Sequence, residues 1–369
     1  MPVFVPRSAP CAEAGRNLSA PQLIAATNSS LFQCLALLSV LGSGKIFFPG
    51  SADYTSSVST YWAQQQAQLA PRCIVTPRSA EDVATAVRTL TTTAESPGVV
   101  DGSAEEAAAC LFAIRSGGHL PVPGAANVVG GVVLDLRLLN NVEVNLDKTL
   151  VSIGAGATWG KVYSALDPLG LNVAGGRVAQ VGVGGLATGG GISFASPRYG
   201  WTCDTVVSYQ VVLADGSIVN ASADENSDLR WALRGGSNSF GVVTALSMET
   251  FELGQVWGGS VYYDMSTIDD HLKSFVEINS PDRYDEHASL ITSFGFAAGQ
   301  GAAVVNNIEY TKAEENPAVF ASLMEIPSIY SSMRLDSMAN IAEEQGSLSR
   351  KDMRCVLSPL LITAHDTPD

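Results

Sequence analysis

The chain has no basic face, no paired cysteine motif and no long apolar run. Only 15% of its 369 residues are charged, acids outnumber Lys and Arg by 36 to 21, and the net charge is −15. That balance excludes a protein that tracks nucleic-acid phosphates, which needs a basic surface. No stretch reaches the ~18 uninterrupted apolar residues of a membrane helix. The nearest run, Leu35 to Leu41, reads as the buried face of a shorter helix. The N-terminal MPVFVPRSAPCAEAGRN has no apolar signal-peptide core, whereas Asn17, Asn28 and Asn220 lie in sequons that matter only in a secreted protein. Compartment therefore stays open. Cys11, Cys34, Cys73, Cys110, Cys203 and Cys355 form no C-x-x-C pair, and the four histidines are scattered, which argues against zinc. No G-x-S-x-G elbow exists, so a hydrolase of that type is excluded.

What is present is apolar residues, at 46%, and glycine, at 35 residues. The length favours about two domains. A helix is predicted near Leu31–Leu41, and Cys73–Thr76 reads as a strand. Pro77 then leads into a helix capped by Ser79 with Asp82 three residues on, its buried stripe being Val83, Ala86, Val87 and Leu90. A strand over Leu111–Ile114 runs into Arg115-Ser116-Gly117-Gly118-His119. Further strands are predicted at 132–136, 142–145 and 150–153, and a helix from Thr158 to about Leu169, stopped by Gly170. A hairpin turns at Ala214-Asp215-Gly216, a helix covers Asp228–Leu233, and a strand starts at Val242. Strands and helices alternate without βαβ regularity, so the class is α+β. Composition shifts after about Gly259, and a domain boundary is placed there.

Three glycine features carry the chemistry. RSGGH at 115–119 ends a strand, and its two glycines permit close backbone approach. Alone it is commonly just a turn. GGRVAQVGVGGLATGGGIS begins at Gly175; Val178, Val181, Val183, Leu186 and Ile192 make it a packed loop instead of a linker. WALRGGSNSFGVVT at 231–244 breaks a helix at two glycines and re-enters a strand. An acidic protein that binds an anionic dinucleotide is expected to use backbone N–H groups from such turns, not lysine clusters.

In this order and spacing these segments resemble the FAD-linked oxidases of the vanillyl-alcohol-oxidase/berberine-bridge-enzyme group, fungal type. FPGSADY (48–54), CIVTPRSAEDV (73–83), GAGATWGKVY (154–163) and YGWTCDTVVSYQVVLADGSIV (199–219) add to the likeness. It implies a PCMH-type FAD-binding domain of two α/β subdomains over 67–258, after an N-terminal segment 1–66. An incomplete substrate domain with an antiparallel sheet would occupy 259–369, because relatives run well past this length. It further implies FAD bound covalently through His119. Arg115, Ser116, Gly117 and Gly118 would lie along the pyrophosphate. Val181, Gly182, Gly184, Gly185, Thr188, Gly189, Gly190 and Gly191 would form the second cofactor loop, with Gly241, Val242 and Val243 near the other flavin face. Val178 stands where many relatives carry a second flavin-linking cysteine, which implies one covalent bond. Val181 stands where a small valine accompanies oxygen access, which favours an oxidase. Thr205 replaces a common asparagine. Cys34, Cys73 and Cys110 resemble positions that pair in secreted relatives, with connectivity unassigned.

The implied reaction is two-electron oxidation of a small organic substrate such as an alcohol, sugar or secondary metabolite, with O2 reduced to hydrogen peroxide. The general base of relatives lies in the part absent here, so a flavin-binding remnant without turnover is the alternative. Tyr199 and Trp159 fall in family segments near the cofactor, where aromatics more often pack. A nicotinamide dehydrogenase is the nearest rival, since Gly182-x-Gly184-x-x-Ala187 fits the dinucleotide fingerprint, with Asp204 about 20 residues on. Arg177–Gln180 is a poor preceding strand, however, and Gly189–Gly191 would stop the required helix at once.

Overall fold

A computed structural model describes residues 20–94, 112–297, 299 and 301–354. Cys11, Asn17, Cys110, Leu111, Cys355 and His365 lie outside the described residues. The chain is mixed α+β, built on three main sheets. The first has the order β1 (Ile46–Phe47), β2 (Cys73–Val75), β4 (Val132–Asp135), β3 (Phe112–Arg115); β2, β4 and β3 run parallel and β1 antiparallel to β2. Every residue of β2 and β4 is buried, as expected of strands covered on both faces.

One cover is the helix Ala80–Ala94, which starts where the capping signal placed it: Ser79 Oγ accepts from the Asp82 N–H at 3.2 Å. Its stripe of Val83, Ala86, Val87 and Leu90 is at most 1% exposed. Burial of each larger member contributes roughly 1.5–3 kcal/mol. The helix Ala20–Leu41 lies alongside and is tied to β2 by a Cys34–Cys73 disulfide, which settles the connectivity that spacing left open. The apolar run in that helix, expected to be its buried face, is buried only in part. Leu37 is fully buried, but Leu35 and Val40 are about half exposed, because a helix against one neighbour buries a single stripe.

The second sheet is antiparallel, in the order β5 (Val142–Val144), β6 (Leu150–Gly154), β10 (Val242–Glu249), β8 (Val206–Val212), β9 (Ile218–Ala221). The helix Trp159–Leu166 passes into a 3-10 turn that ends at Gly170, so the single helix expected up to Leu169 is two pieces. Strands β7 (Leu171–Asn172) and β11 (Phe251–Glu252) form a small ladder beside it. The first two sheets share one core.

The third sheet pairs β13 (Ala288–Ala297), β14 (Gly301–Tyr310), β12 (Val256–Tyr263) and β15 (Tyr330–Ser331), with β16 (Arg334–Asp336) also on β12. Val304, Ile308 and Tyr310 of β14 face Phe320 and Leu323 in a second core. The core changes between Val256 and Trp257, inside β12. The final helix, Met338–Leu348, returns to the first core through Met338, Ile341 and Ala342. Among the described residues, no helix is long and apolar enough to cross a membrane.

Candidate functional site

The segment Gly154–Trp159 is the spine on which the glycine loops are assembled. Ala155 O accepts from Ser116 Oγ at 2.7 Å and from the Gly184 N–H at 3.1 Å. The Ala155 N–H donates to Thr244 O of β10, and Val183 N–H to Ala157 O. The Trp159 and Gly160 N–H groups donate to Val181 O and Ala179 O. Residues distant in sequence thus meet at one place.

There the first and second glycine loops touch backbone to backbone. A Cβ built on Gly117 would lie 2.7 Å from Gly182 Cα, and one on Gly182 would lie 2.7 Å from Gly117 Cα. Real Cβ atoms do not come so close, so both positions require glycine. Gly118 follows with φ +72°, where a side chain would also meet the Tyr61 ring at 2.8 Å and Arg115 Nε at 2.9 Å.

The structure brings Arg115, Ser116, Gly117, Gly118, Gly182 and Gly184 together. Val181 and Thr188 join through backbone bonds, Thr188 O accepting from the Gly235 N–H of the third glycine segment. Gly185 and Gly189 are exposed, at the two ends of the short helix Val183–Thr188 that Gly189 terminates. Gly190 O and Gly191 O accept from the Cys203 and Thr202 N–H groups. Gly241, Val242 and Val243 open β10 and pack against Val211 and Val212, and Thr244 of the same strand bonds Ala155 beside the loop contact. No strand runs directly into Gly182, the last one ending at Asn172, and the helix after it has 6 residues, so Gly182–Ala187 does not form the nicotinamide-type unit. Trp159 is wholly buried and Tyr199 stacks on Phe251, so both are packing residues.

His119 is half-buried, its ring stacked on Trp62 with centroids 4.7 Å apart and planes 17° from parallel. Burial lowers its pKa below the ordinary imidazole value, outweighing its own backbone. The imidazole is therefore neutral near pH 7, with a free nitrogen lone pair.

A buried ion cluster holds the loop from behind. Asp135 receives Arg137 Nη2 at 2.6 Å and Ser57 Oγ at 2.7 Å, with Arg115 Nη1 at 3.9 Å. Burial alone would raise the Asp135 carboxyl; the Arg137 bonds, the charges of both arginines and Ser57 outweigh it and hold it below the usual range. Arg115 is fully buried, donates to Ser57 O and Thr60 Oγ1, lies over the Tyr61 ring, and leaves its Nε without a partner.

A cavity of about 340 Å³ opens beside Gly117, lined also by Thr60, Arg115, Arg137, Thr158, Gly160, Lys161 and Glu343. Three cations, two hydroxyls and glycine backbone against one carboxylate make a donor set that fits a phosphate-bearing anion. Beside the glycine backbone the cavity carries two arginines and a single lysine, not a lysine cluster. Arg137 and Lys161 were missed by the sequence reading. Their signals were faint: an arginine two residues after Asp135, and a lysine in the first turn of the helix that starts at Trp159.

Residues 71–222 match the FAD binding domain family. An FAD-dependent monooxygenase of Cercospora beticola, CTB5, is 40% identical over 309 residues, covering 83% of this chain and 56% of that protein. Among solved structures, 6-hydroxy-D-nicotine oxidase from Arthrobacter nicotinovorans is similar with a TM-score of 0.69 at 25% identity, over 83% of this chain and 64% of that one. Glucooligosaccharide oxidase from Acremonium strictum, with a 6-S-cysteinyl, 8α-N1-histidyl FAD, gives a TM-score of 0.63 at 24% identity over 83% of this chain and 61% of its own. The chain spans little more than half the length of the curated relatives it matches.

Proposed function

We propose that this chain, which belongs to the FAD-linked oxidoreductases through its FAD-binding domain at residues 71–222, holds FAD by a covalent link at His119 and serves oxidation of a small organic molecule with O2 as electron acceptor. The observation that carries the reading is a neutral, half-buried His119 at the edge of two interlocked glycine loops. FAD, when bound, supplies a two-electron acceptor for a C–H bond next to oxygen or nitrogen.

Gly117, Gly118, Gly182 and Gly184 keep backbone close to the cofactor's path, and Arg115, Arg137 and Lys161 offset the charge of its diphosphate. Val178 brings no thiol, in contrast to the doubly linked flavin of the glucooligosaccharide oxidase, so a single histidyl bond is the reading here. Small Val181 leaves room for oxygen. Alcohols, sugars and secondary metabolites are the substrate classes in view, the last favoured by the fungal monooxygenase relative.

The test is the visible spectrum of purified protein before and after acid precipitation, with His119→Ala as control. A yellow pellet that turns colourless in the variant is the expected result. Flavin released entirely into the supernatant removes the covalent bond, and protein colourless from the start removes the flavin reading.

A further inference from the structure

We infer that Trp62 is a positioning residue for His119, presenting the imidazole edge-on for flavin attachment, and that the segment Ser349–Met353 sets Trp62 in place. The inference rests on the covalent reading above and adds the residues that make it possible.

The Trp62 indole covers one face of the His119 ring. Among the described residues no side chain hydrogen-bonds either ring nitrogen, and the polar influence on the ring is its own main chain. A histidine that follows a glycine and has no such bond is free to turn about two side-chain torsions. Stacking removes that freedom for the ring plane while leaving the ring edge, where its own main chain is the polar neighbour, uncovered by side chains. Offset aromatic pairs of this kind contribute roughly 0.5–1.5 kcal/mol beyond their buried area. Attachment depends steeply on such alignment, since a misplacement of about 1 Å can cost on the order of 100-fold in rate.

Trp62 is itself held from two sides. Its N–H donates to Gly118 O at 3.2 Å, which ties it to the histidine's own loop. Its indole Nε1 donates to Ser349 Oγ at 3.1 Å, and its carbonyl accepts from the Asp352 N–H at 2.8 Å. The next turn is fastened too, the Gln64 N–H donating to Met353 O at 3.1 Å. The segment after the final helix therefore reaches back about 290 residues to the ring that faces His119.

Forming the nitrogen–carbon bond takes one hydrogen from the imidazole and one from the flavin 8α methyl group, with two electrons. O2 accepts them as hydrogen peroxide. Trp62 takes no part in that balance; it fixes where the nitrogen points.

The test adds FAD to the full-length apo-protein and follows, with time, the fraction of bound flavin that stays with acid-precipitated protein. Trp62→Ala is expected to slow attachment roughly tenfold with total bound flavin unchanged. Trp62→Phe, which keeps a stacking face and loses the Ser349 bond, is expected to stay within about threefold of the parent. A histidine NMR titration of the same apo-proteins gives a reading independent of flavin: His119 should titrate higher in Trp62→Ala, where its ring is uncovered, and not in Trp62→Phe. Attachment by Trp62→Ala at the parental rate overturns the assignment, as does a Trp62→Phe protein as slow as Trp62→Ala. A parent that holds no acid-stable flavin, matching His119→Ala, overturns the covalent reading and this assignment together.

Discussion

Asp135 and Glu309 are both buried carboxyls at strand positions, and the fold treats them in opposite ways. Asp135 ends β4 behind the first glycine loop and is met by Ser57, Arg115 and Arg137. Glu309 lies on β14 opposite Gly258, wholly buried, with no hydrogen-bond partner for either carboxyl oxygen among the described residues. Burial pushes its pKa well above the usual carboxyl value; the charge of Arg177 opposes this and that of Glu344 adds to it. The surroundings favour the charged form of Asp135 and the protonated form of Glu309. The same group takes either form according to what its neighbours supply, because an unpaired buried charge costs more than a proton. The cluster behind the first glycine loop is thus held by paired charges, while β14 carries a carboxyl that burial favours in its protonated form.

The two carboxyls differ most under substitution at Asp135. Asp135→Asn leaves fully buried Arg115 without a carboxylate, and urea unfolding should show a loss of about 3–5 kcal/mol. The wild-type contribution of Asp135 is present above the ordinary aspartate value and lost as pH falls through its lowered folded value. Ser57→Ala removes a donor to Asp135 and an acceptor for Arg115, and about 1.5–3 kcal/mol should be lost in the same measurement. Glu309 gives the smallest effect, and it depends on pH. Its raised folded pKa means that its contribution is full below the ordinary glutamate value and declines as pH rises toward the folded value. The slope is at most about 1.4 kcal/mol per pH unit. Glu309→Gln should abolish that slope, so its advantage in thermal midpoint over the parent grows with pH. Parallel stability curves would mean that Glu309 is paired or solvated after all.

Much of the scaffold was legible because its signals are local. The stripe from Val83 to Leu90, the Ser79 cap and the apolar run before Asp135 each mark an element from adjacent residues. Glycine density marked both loops, since close backbone approach leaves only one residue type available. The meeting of Gly117 with Gly182 was not legible from spacing alone; it depends on Ala155 bonding both segments. Trp62 over His119, with Ser349 behind, joins three distant segments and leaves no periodic trace. Arg137 and Lys161 likewise read as surface charge until the fold turned them toward one cavity. Glu309 sat in an ordinary strand pattern, and only the lack of partners sets it apart.

A single histidyl link at His119, with no cysteinyl link, is what proteolytic digestion of the denatured protein followed by mass spectrometry would read. Flavin is expected on the peptide that contains His119 and none on the peptide that contains Val178. Flavin recovered only as free FAD, or attached to a different peptide, would contradict it.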